Sequence, residues 1–306
     1  MNNYNLCLNT YDQLIIELSE LLNSKCSFLY SAIIYGSYSR QEIFSIYSDI
    51  DLLCVIKGEI LKQNEISRLY DIVAILPQKY NVKIHLRIRN LSDLYTKESG
   101  LLDCGFSSSI NKLRDGVLIC GSSLDSEYLR FIRNITEEEY VLNLKLRYSN
   151  LKYQNRALIS LIENYDDYSL YEDMLKYKCG CILFQLAELI CYTCGIHFVS
   201  SVDALSKAYC KTENSYFKEA ISIKKGRNSI DLIHFVTTID GIIKLFNQKI
   251  EPKNVFILKR IVLHNIASLD KNEHLFGEDK SILELGPIRF KKCIIATDGT
   301  LHILTK

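Results

Sequence analysis

Apolar residues in the first part of the chain recur with two different periods, one typical of helices and one of strands. From Tyr11 to Leu22 they recur every three or four residues, which predicts a helix. The short β-prone runs Ser31–Tyr35 and Ile50–Ile56 predict two strands. We expect a turn at Gly36 and a short helical segment between these strands.

The same two kinds of spacing predict one more helix and one more strand. Glu65 to Leu76 again has helical spacing, and we expect Pro77 to end that helix because proline cannot donate its backbone hydrogen bond. From Val82 to Ile88 apolar residues alternate with polar ones, which predicts a third strand with one polar face. That polar face carries Lys83, His85 and Arg87.

The second half of the chain has a mainly helical pattern. After a β-prone run that ends at Gly121, helical spacing continues from about residue 136 to residue 246. Near the end, Asp298-Gly299 between apolar runs predicts a β-hairpin. The predicted fold is an α/β (α+β) domain with a mixed sheet over residues 1–125, an α-helical domain over 126–250, and an extension over 251–306 with a C-terminal helix and hairpin.

Composition narrows the class of protein. Lys and Arg total 37 and Asp and Glu total 36, so the chain lacks the global positive field of non-specific nucleic-acid binders. Eleven cysteines in a chain of 306 residues, without a secretory signal pattern, predict reduced thiols and a cytoplasmic location. The most apolar stretch, Cys179 to Val199, contains Gln185, Glu188 and His197, which favours a buried helix over a membrane span.

The candidate chemistry lies in two segments near the N-terminus, 33–40 and 48–55. Asp49 and Asp51 are two residues apart at the start of a predicted strand, so their side chains point to the same face of the sheet. Mg²⁺ prefers oxygen ligands, one or two carboxylates together with substrate phosphates. The pair is therefore a candidate for holding Mg²⁺ against a nucleoside triphosphate.

Residues around the predicted turn are candidates for binding the phosphates. Gly36 permits close approach of the backbone, and the Ser37 hydroxyl can donate to a phosphate oxygen. Arg40 would add positive charge for the pyrophosphate leaving group, and Ser48, which precedes the aspartates, joins them as a nucleotide-binding candidate.

This pattern resembles the nucleotidyltransferase superfamily, which includes DNA polymerase beta, small bacterial antibiotic nucleotidyltransferases and the minimal nucleotidyltransferases of toxin–antitoxin systems. A hydrophobic strand, Gly36-Ser37, eleven intervening residues and Asp49-Ile-Asp51 in a second strand carry the resemblance, which extends over about residues 10–122. It implies a nucleotidyltransferase-fold domain with Mg²⁺ as cofactor and ATP or another nucleoside triphosphate as substrate. The helical second domain resembles that of the antibiotic-modifying branch.

The third strand departs from the family pattern. Members that use two metals carry a third carboxylate there, whereas this chain has His85, which suits Mg²⁺ poorly. Three explanations stay open: one metal suffices, the helical domain supplies a carboxylate, or His85 acts as general base. The candidate carboxylates in the helical domain are Glu138, Glu163 and Glu172.

Two other patterns have an ordinary structural interpretation beside a functional one. Cys179, Cys181, Cys191 and Cys194 are spaced like zinc ligands but fall within a helical pattern, which favours buried thiols. A run of cationic and tyrosine side chains could face a triphosphate or an RNA backbone, although a solvated helix face is the commoner explanation. That run comprises Lys145, Arg147, Tyr148, Lys152, Tyr153 and Arg156.

The sequence therefore predicts a Mg²⁺-dependent enzyme that transfers a nucleoside monophosphate, AMP from ATP, to an acceptor hydroxyl. The acceptor stays open between a small molecule such as an antibiotic, a protein and a transfer RNA. One alternative is a catalytically silent nucleotidyltransferase fold that serves as a binding or regulatory module, since His85 replaces the third carboxylate. Another is that the helical half is mainly a surface for binding a partner.

Overall fold

The computed structural model of the protein describes residues 2–40, 48–92, 115–160, 168–198, 200–270, 293–295 and 301–303. The chain divides into two units, one formed by residues 1–132 with 288–306 and the other by residues 133–287. The predicted domain boundaries near residues 125 and 250 stay predictions.

The first unit is built around a four-stranded sheet. Its elements are α1 (Asn2–Lys25), β1 (Leu29–Tyr35), β2 (Ile50–Ile56), α2 (Gln63–Tyr80), β3 (Ile84–Asn90) and β4 (Val117–Gly121), followed by α3 (Asp125–Asn134), whose last two residues belong to the second unit. The strand order is β3-β2-β1-β4, with β1 antiparallel to both of its neighbours and β2 parallel to β3. The predicted mixed sheet is thus confirmed.

The core of this unit lies between one face of the sheet and the helices α1 and α2. Because side chains alternate along a strand, Ile50, Leu52 and Cys54 of β2 point into this core. Leu18 of α1 and Ile72 of α2 belong to the same buried cluster. The alternate residues of β2, beginning with the aspartate at position 51, face the other side of the sheet.

Helix α2 extends past the residue at which we predicted its end. Pro77 does not end the helix, which continues to Tyr80 and is followed by Asn81 in the left-handed conformation, with φ of 52°. Leu69, Ile72 and Leu76 bury one stripe of α2 against the core, and that packing outweighs the one backbone hydrogen bond that a proline near the last turn removes.

The second unit consists of helices in its described residues. They are α4 (Glu137–Ala157), α5 (Tyr168–Thr193), α6 (Ser201–Thr212), α7 (Ser215–Lys224), α8 (Leu232–Gln248) and α9 (Lys253–Asp270). Helix α5 packs against α4, α6 and α7, and α8 packs against α4. The predicted helical region is confirmed.

The C-terminal end of α5 is satisfied by side chains from other helices. The last carbonyl groups of a helix have no partner within it. Tyr140 donates its hydroxyl to the Tyr192 carbonyl oxygen, and Asn254 donates its side-chain amide to the Thr193 carbonyl oxygen. Tyr148 shares a hydrogen bond of 2.8 Å with the Thr193 hydroxyl. These buried polar contacts link α4 and α9 to α5.

The prediction of a buried helix from Cys179 onward is confirmed for the part that α5 covers. Leu183, Leu186 and Ile190 are fully buried, and Glu188 is also buried, where it accepts a hydrogen bond of 2.8 Å from the Ser201 hydroxyl. Across the described parts of the chain, every helix is too short or too polar to span a membrane.

Two short strands near the C-terminus pair with each other. β5 (Cys293–Ile295) and β6 (Leu301–Ile303) are antiparallel, with Cys293 opposite Ile303. The predicted Asp298-Gly299 turn lies outside the described residues, so the hairpin as predicted, with that turn, stays a prediction.

Candidate functional site

Three side chains form one row across three neighbouring strands, near one end of the sheet and on the face away from the main core. Tyr35 at the end of β1 lies opposite Asp51 in β2, and Asp51 lies opposite His85 in β3. Residues in register on neighbouring strands point to the same side of a sheet and come within contact distance. The register therefore brings the imidazole to the aspartate that the sequence motif singled out.

Asp49 joins this row from the residue just before β2. One ligand atom from each of Asp49, Asp51 and His85 lies within 4.8 Å of the others, and among the described residues this is the only such group of three histidines, cysteines or acidic residues. Within the group, His85 Nδ1 and Asp51 Oδ1 are 3.3 Å apart. Two carboxylates and one imidazole thus surround a space that suits a divalent cation.

Gly36 fits against this cluster because it has no side chain. Its φ is +84°, a conformation that glycine adopts without strain. A Cβ atom placed on Gly36 would lie 2.2 Å from Asp51 Oδ2, far inside contact distance. The backbone of the predicted Gly36-Ser37 turn therefore lies directly against the Asp51 carboxylate.

The turn is held by hydrogen bonds to its own backbone. The Ser39 hydroxyl donates to the Gly36 carbonyl oxygen at 2.9 Å, and the Arg40 N–H donates to the same oxygen at 3.4 Å. Ser37, the candidate phosphate ligand, lies within this turn. Residues 41–47, where the sequence predicted a short helical segment, lie outside the described residues.

Helix α1 fixes both segments that carry the motif. The Tyr11 hydroxyl donates to the Ser48 carbonyl oxygen at 2.7 Å, and the Tyr11 ring stacks on Tyr38, with centroids 6.0 Å apart and an interplanar angle of 12°. The Tyr38 hydroxyl in turn donates to Asp12 Oδ1 at 2.6 Å. Sequence reasoning missed this support, because no local spacing connects Tyr11 with Ser48.

Arg40 has a carboxylate partner that the sequence did not reveal. Its Nη1 atom lies 3.2 Å from Asp115 Oδ2, and Asp115 is only 7% exposed. A guanidinium paired with a buried carboxylate is held in place, since breaking the pair would leave an uncompensated buried charge. The contact joins the Gly36-Ser37 turn to the segment before β4.

The charges of the site shift the pKa values of two neighbouring groups. The hydrogen bond with Asp51 raises the pKa of His85 above its usual value. Burial, followed by the negative charge of Asp51, raises the pKa of the Tyr35 hydroxyl, so that group stays protonated. The Arg87 guanidinium lies 6.0 Å from the centre of the Tyr35 ring and adds positive charge on the same face of β3.

The candidate carboxylates of the helical region fall in the second unit. Glu138 is exposed in the first turn of α4, and Glu172 forms an ion pair of 2.7 Å with Lys176. Glu163 lies outside the described residues. Neither described residue belongs to the group formed by Asp49, Asp51 and His85.

The cysteines follow the ordinary structural interpretation, and the interpretation of the cationic run stays a prediction. Cys179 and Cys191 are buried, and no described cysteine belongs to a group with the geometry of a metal site. Tyr148, which the sequence placed among cationic residues, is buried in the core of the second unit. Arg156, in the same run, pairs with Asp240 at 2.7 Å.

No protein-family model matches the sequence, and neither does any curated protein. Among solved structures, the chain is similar to a spectinomycin adenyltransferase from Enterococcus faecialis, determined with ATP and spectinomycin. The TM-score is 0.47 and the identity 13%, over 78% of this chain and 98% of the other. A likeness this distant does not assign residues, so the proposed function rests on the geometry of the site.

Proposed function

We propose that the chain is a nucleotidyltransferase that transfers a nucleoside monophosphate, AMP from ATP, to an acceptor hydroxyl. The observation that carries the proposal is the convergence of Asp49 and Asp51 on one point beside the Gly36-Ser37 turn. Two carboxylates next to a backbone turn that admits close approach form the combination that triphosphate chemistry needs.

Each residue of the site has a proposed role. Asp49 and Asp51 would hold a divalent cation, Mg²⁺ on the resemblance stated above. Gly36, Ser37 and Ser48 would bind the nucleotide around the turn. Arg40 would stabilise the departing pyrophosphate, and its ion pair with Asp115 keeps the guanidinium next to the turn.

The reaction is an in-line displacement at phosphorus. The acceptor oxygen forms a bond to the α-phosphorus, the bond from that phosphorus to the bridging oxygen breaks, and pyrophosphate leaves. A cation held by Asp49 and Asp51 would supply charge neutralisation for the phosphates. The proton of the acceptor hydroxyl needs a base: neutral His85, which lies within the cluster, takes this role if its imidazole does not bind the cation, and solvent water takes up the proton if it does.

The acceptor is proposed only as a class, a hydroxyl group on a small molecule such as an antibiotic, on a protein, or on a transfer RNA. We propose residues 1–125 as the nucleotidyltransferase domain, residues 126–250 as the helical domain that selects the acceptor, and residues 251–306 as an extension. A cytoplasmic location fits a chain in which Cys54, Cys120 and Cys179 are buried thiols outside any disulfide.

A second candidate function is a catalytically silent nucleotide-binding or regulatory module. The observation that favours it is His85 itself, which stands in register with Asp51 where the resembled family carries a carboxylate. Such a module would bind nucleotide without releasing pyrophosphate.

One experiment distinguishes the two. The full chain is incubated with each labelled nucleoside triphosphate, Mg²⁺, and a panel of aminoglycoside-type antibiotics, proteins and transfer RNA, and both pyrophosphate and labelled acceptor are measured. The enzyme predicts release that needs the cation and is lost in Asp51→Asn. Nucleotide binding that does not depend on the cation, with no release in any panel, would support the module instead.

A further inference from the structure

The donor set of the site is not the one that Mg²⁺ prefers. Asp49 and Asp51 offer oxygen, but the third donor within reach is an imidazole nitrogen of His85. Mg²⁺ demands near-ideal octahedral oxygen coordination and retains water readily, whereas imidazole is a favoured ligand of later first-row divalent ions. The identity of one side chain therefore bears on the identity of the metal.

The backbone keeps the imidazole within this donor set. His85 is paired in register with Asp51 along the whole β2–β3 ladder, which runs from Ile50 opposite Ile84 to Ile56 opposite Asn90. A slip by one residue would turn the polar face of β3 into the core. His85 therefore cannot be exchanged for a neighbouring residue by a shift of the strand.

The opposite side of Asp51 is closed by the turn. Gly36 lies so near that even a Cβ atom there would overlap Asp51 Oδ2. The Asp51 carboxylate is thus confined between the Gly36 backbone, just after β1, and the His85 ring on β3, with 3.3 Å between His85 Nδ1 and Asp51 Oδ1. A cation that binds Asp51 meets the imidazole as its neighbour.

We propose that this site selects a first-row divalent transition-metal ion over Mg²⁺, with His85 as the ligand that sets the preference. The inference deepens the proposed function, because it rests on the same Asp49–Asp51 metal site. Mn²⁺ is the probe, since it is a first-row divalent ion that accepts octahedral oxygen coordination with phosphates and is paramagnetic, so that a bound nitrogen can be detected directly. Neutral imidazole is the metal-binding form, so binding is measured at mildly alkaline pH.

The test measures metal binding directly, without an acceptor and without turnover. Mn²⁺ is titrated into the full chain with and without ATP and followed by electron paramagnetic resonance, and Mg²⁺ is then added as competitor. In the wild type we expect ¹⁴N coupling from a directly bound imidazole and tighter binding of Mn²⁺ than of Mg²⁺.

Substitution of the third donor gives the decisive comparison. His85→Asp converts the donor set to three carboxylates, and we expect this variant to lose the ¹⁴N coupling. Its preference for Mn²⁺ over Mg²⁺ should fall by at least about tenfold, the smaller end of the loss in metal affinity that follows from changing residues around a metal site. His85→Asn removes the imidazole without adding charge and should also lose the coupling. His234→Asn, at an exposed histidine of α8, is the matched control and should change neither.

The outcomes separate this inference from the proposed function. Two results would overturn the inference: Mn²⁺ that binds without ¹⁴N coupling, or a preference for Mn²⁺ over Mg²⁺ that His85→Asp leaves unchanged. Neither result counts against the proposed function, because Asp49 and Asp51 can bind a metal nucleotide without His85. Coupled Mn²⁺ with no effect of ATP on its binding supports the inference and counts against nucleotidyl transfer. Circular dichroism of both His85 variants guards against misfolding, which is not expected at a side chain that is 51% exposed.

Discussion

Replacing Gly36 with alanine places a methyl group at the closest approach within the candidate site. The added Cβ would lie 2.2 Å from Asp51 Oδ2, and real Cβ atoms essentially never come nearer than 3.0 Å, so the two atoms must separate by about 0.8 Å. The carboxylate is the part that gives way, because a side chain rotates more easily than a strand moves. The substitution therefore displaces a proposed metal ligand.

The expected cost has two parts. Alanine at a φ of +84° costs roughly 1–2 kcal/mol of stability, as for other residues forced into the left-handed region. Displacing Asp51 by nearly 1 Å would lower turnover by about 100-fold, the effect of a misplacement of this size. Metal-dependent nucleotide affinity should fall at least about tenfold, or ~1.4 kcal/mol.

Two other glycines provide matched controls. Gly226 has a φ of +74° in the second unit, so Gly226→Ala reproduces the backbone strain without touching Asp51. Gly241 lies in α8 with nothing within 4 Å of an added Cβ, so Gly241→Ala should stabilise the helix by roughly 0.5–1 kcal/mol. Calorimetric titration of ATP with Mg²⁺ or Mn²⁺ measures affinity, and urea unfolding measures stability. The reasoning is refuted if Gly36→Ala loses stability as Gly226→Ala does but keeps wild-type affinity for the metal nucleotide.

Two further predictions concern the contacts around the site. In the metal-free protein, NMR titration should give His85 a pKa above its usual value. Asp51→Asn should lower that pKa, because the hydrogen bond with Asp51 is the main cause of the shift. The same pKa of His85 in both proteins would contradict this. The stability linked to His85 should be complete below its ordinary pKa and lost as the pH rises through the raised one. Tyr11→Phe should reduce the free energy of unfolding by about 1–3 kcal/mol, because it leaves the buried Ser48 carbonyl without its 2.7 Å hydrogen bond. Urea unfolding tests this against Tyr153→Phe, at a side chain that is 74% exposed; an equal change in both variants would count against the role of Tyr11.

The parts of the fold that the sequence predicted are those governed by local periodicity. The runs Ser31–Tyr35 and Ile50–Ile56 lie in β1 and β2, because short apolar β-prone runs bounded by turn residues are typical of strands. The end of α2 was predicted wrongly at Pro77, since the rule for proline considers the backbone alone and the buried stripe of the helix outweighs it.

Local sequence patterns also predicted some features of the candidate site and missed others. The spacing of Asp49 and Asp51 is enough to put both carboxylates on one face, and the alternation in β3 is enough to put His85 on a polar face. The register of Asp51 with His85 and the ion pair of Arg40 with Asp115, 75 residues apart, depend on how distant segments pair. No pattern within a short window carries that information.

The central claim is that Asp49 and Asp51 hold one cation and, through it, one polyphosphate beside the Gly36-Ser37 turn. Its most direct test is the affinity of the full chain for ATP, measured by calorimetry with a divalent cation and again with a chelator, in the wild type and in Asp49→Asn/Asp51→Asn. The account predicts that the cation strengthens ATP binding at least about tenfold, or ~1.4 kcal/mol, in the wild type and has no such effect in the double variant. Equal affinity with and without the cation in the wild type, or a full effect of the cation in the double variant, would contradict it.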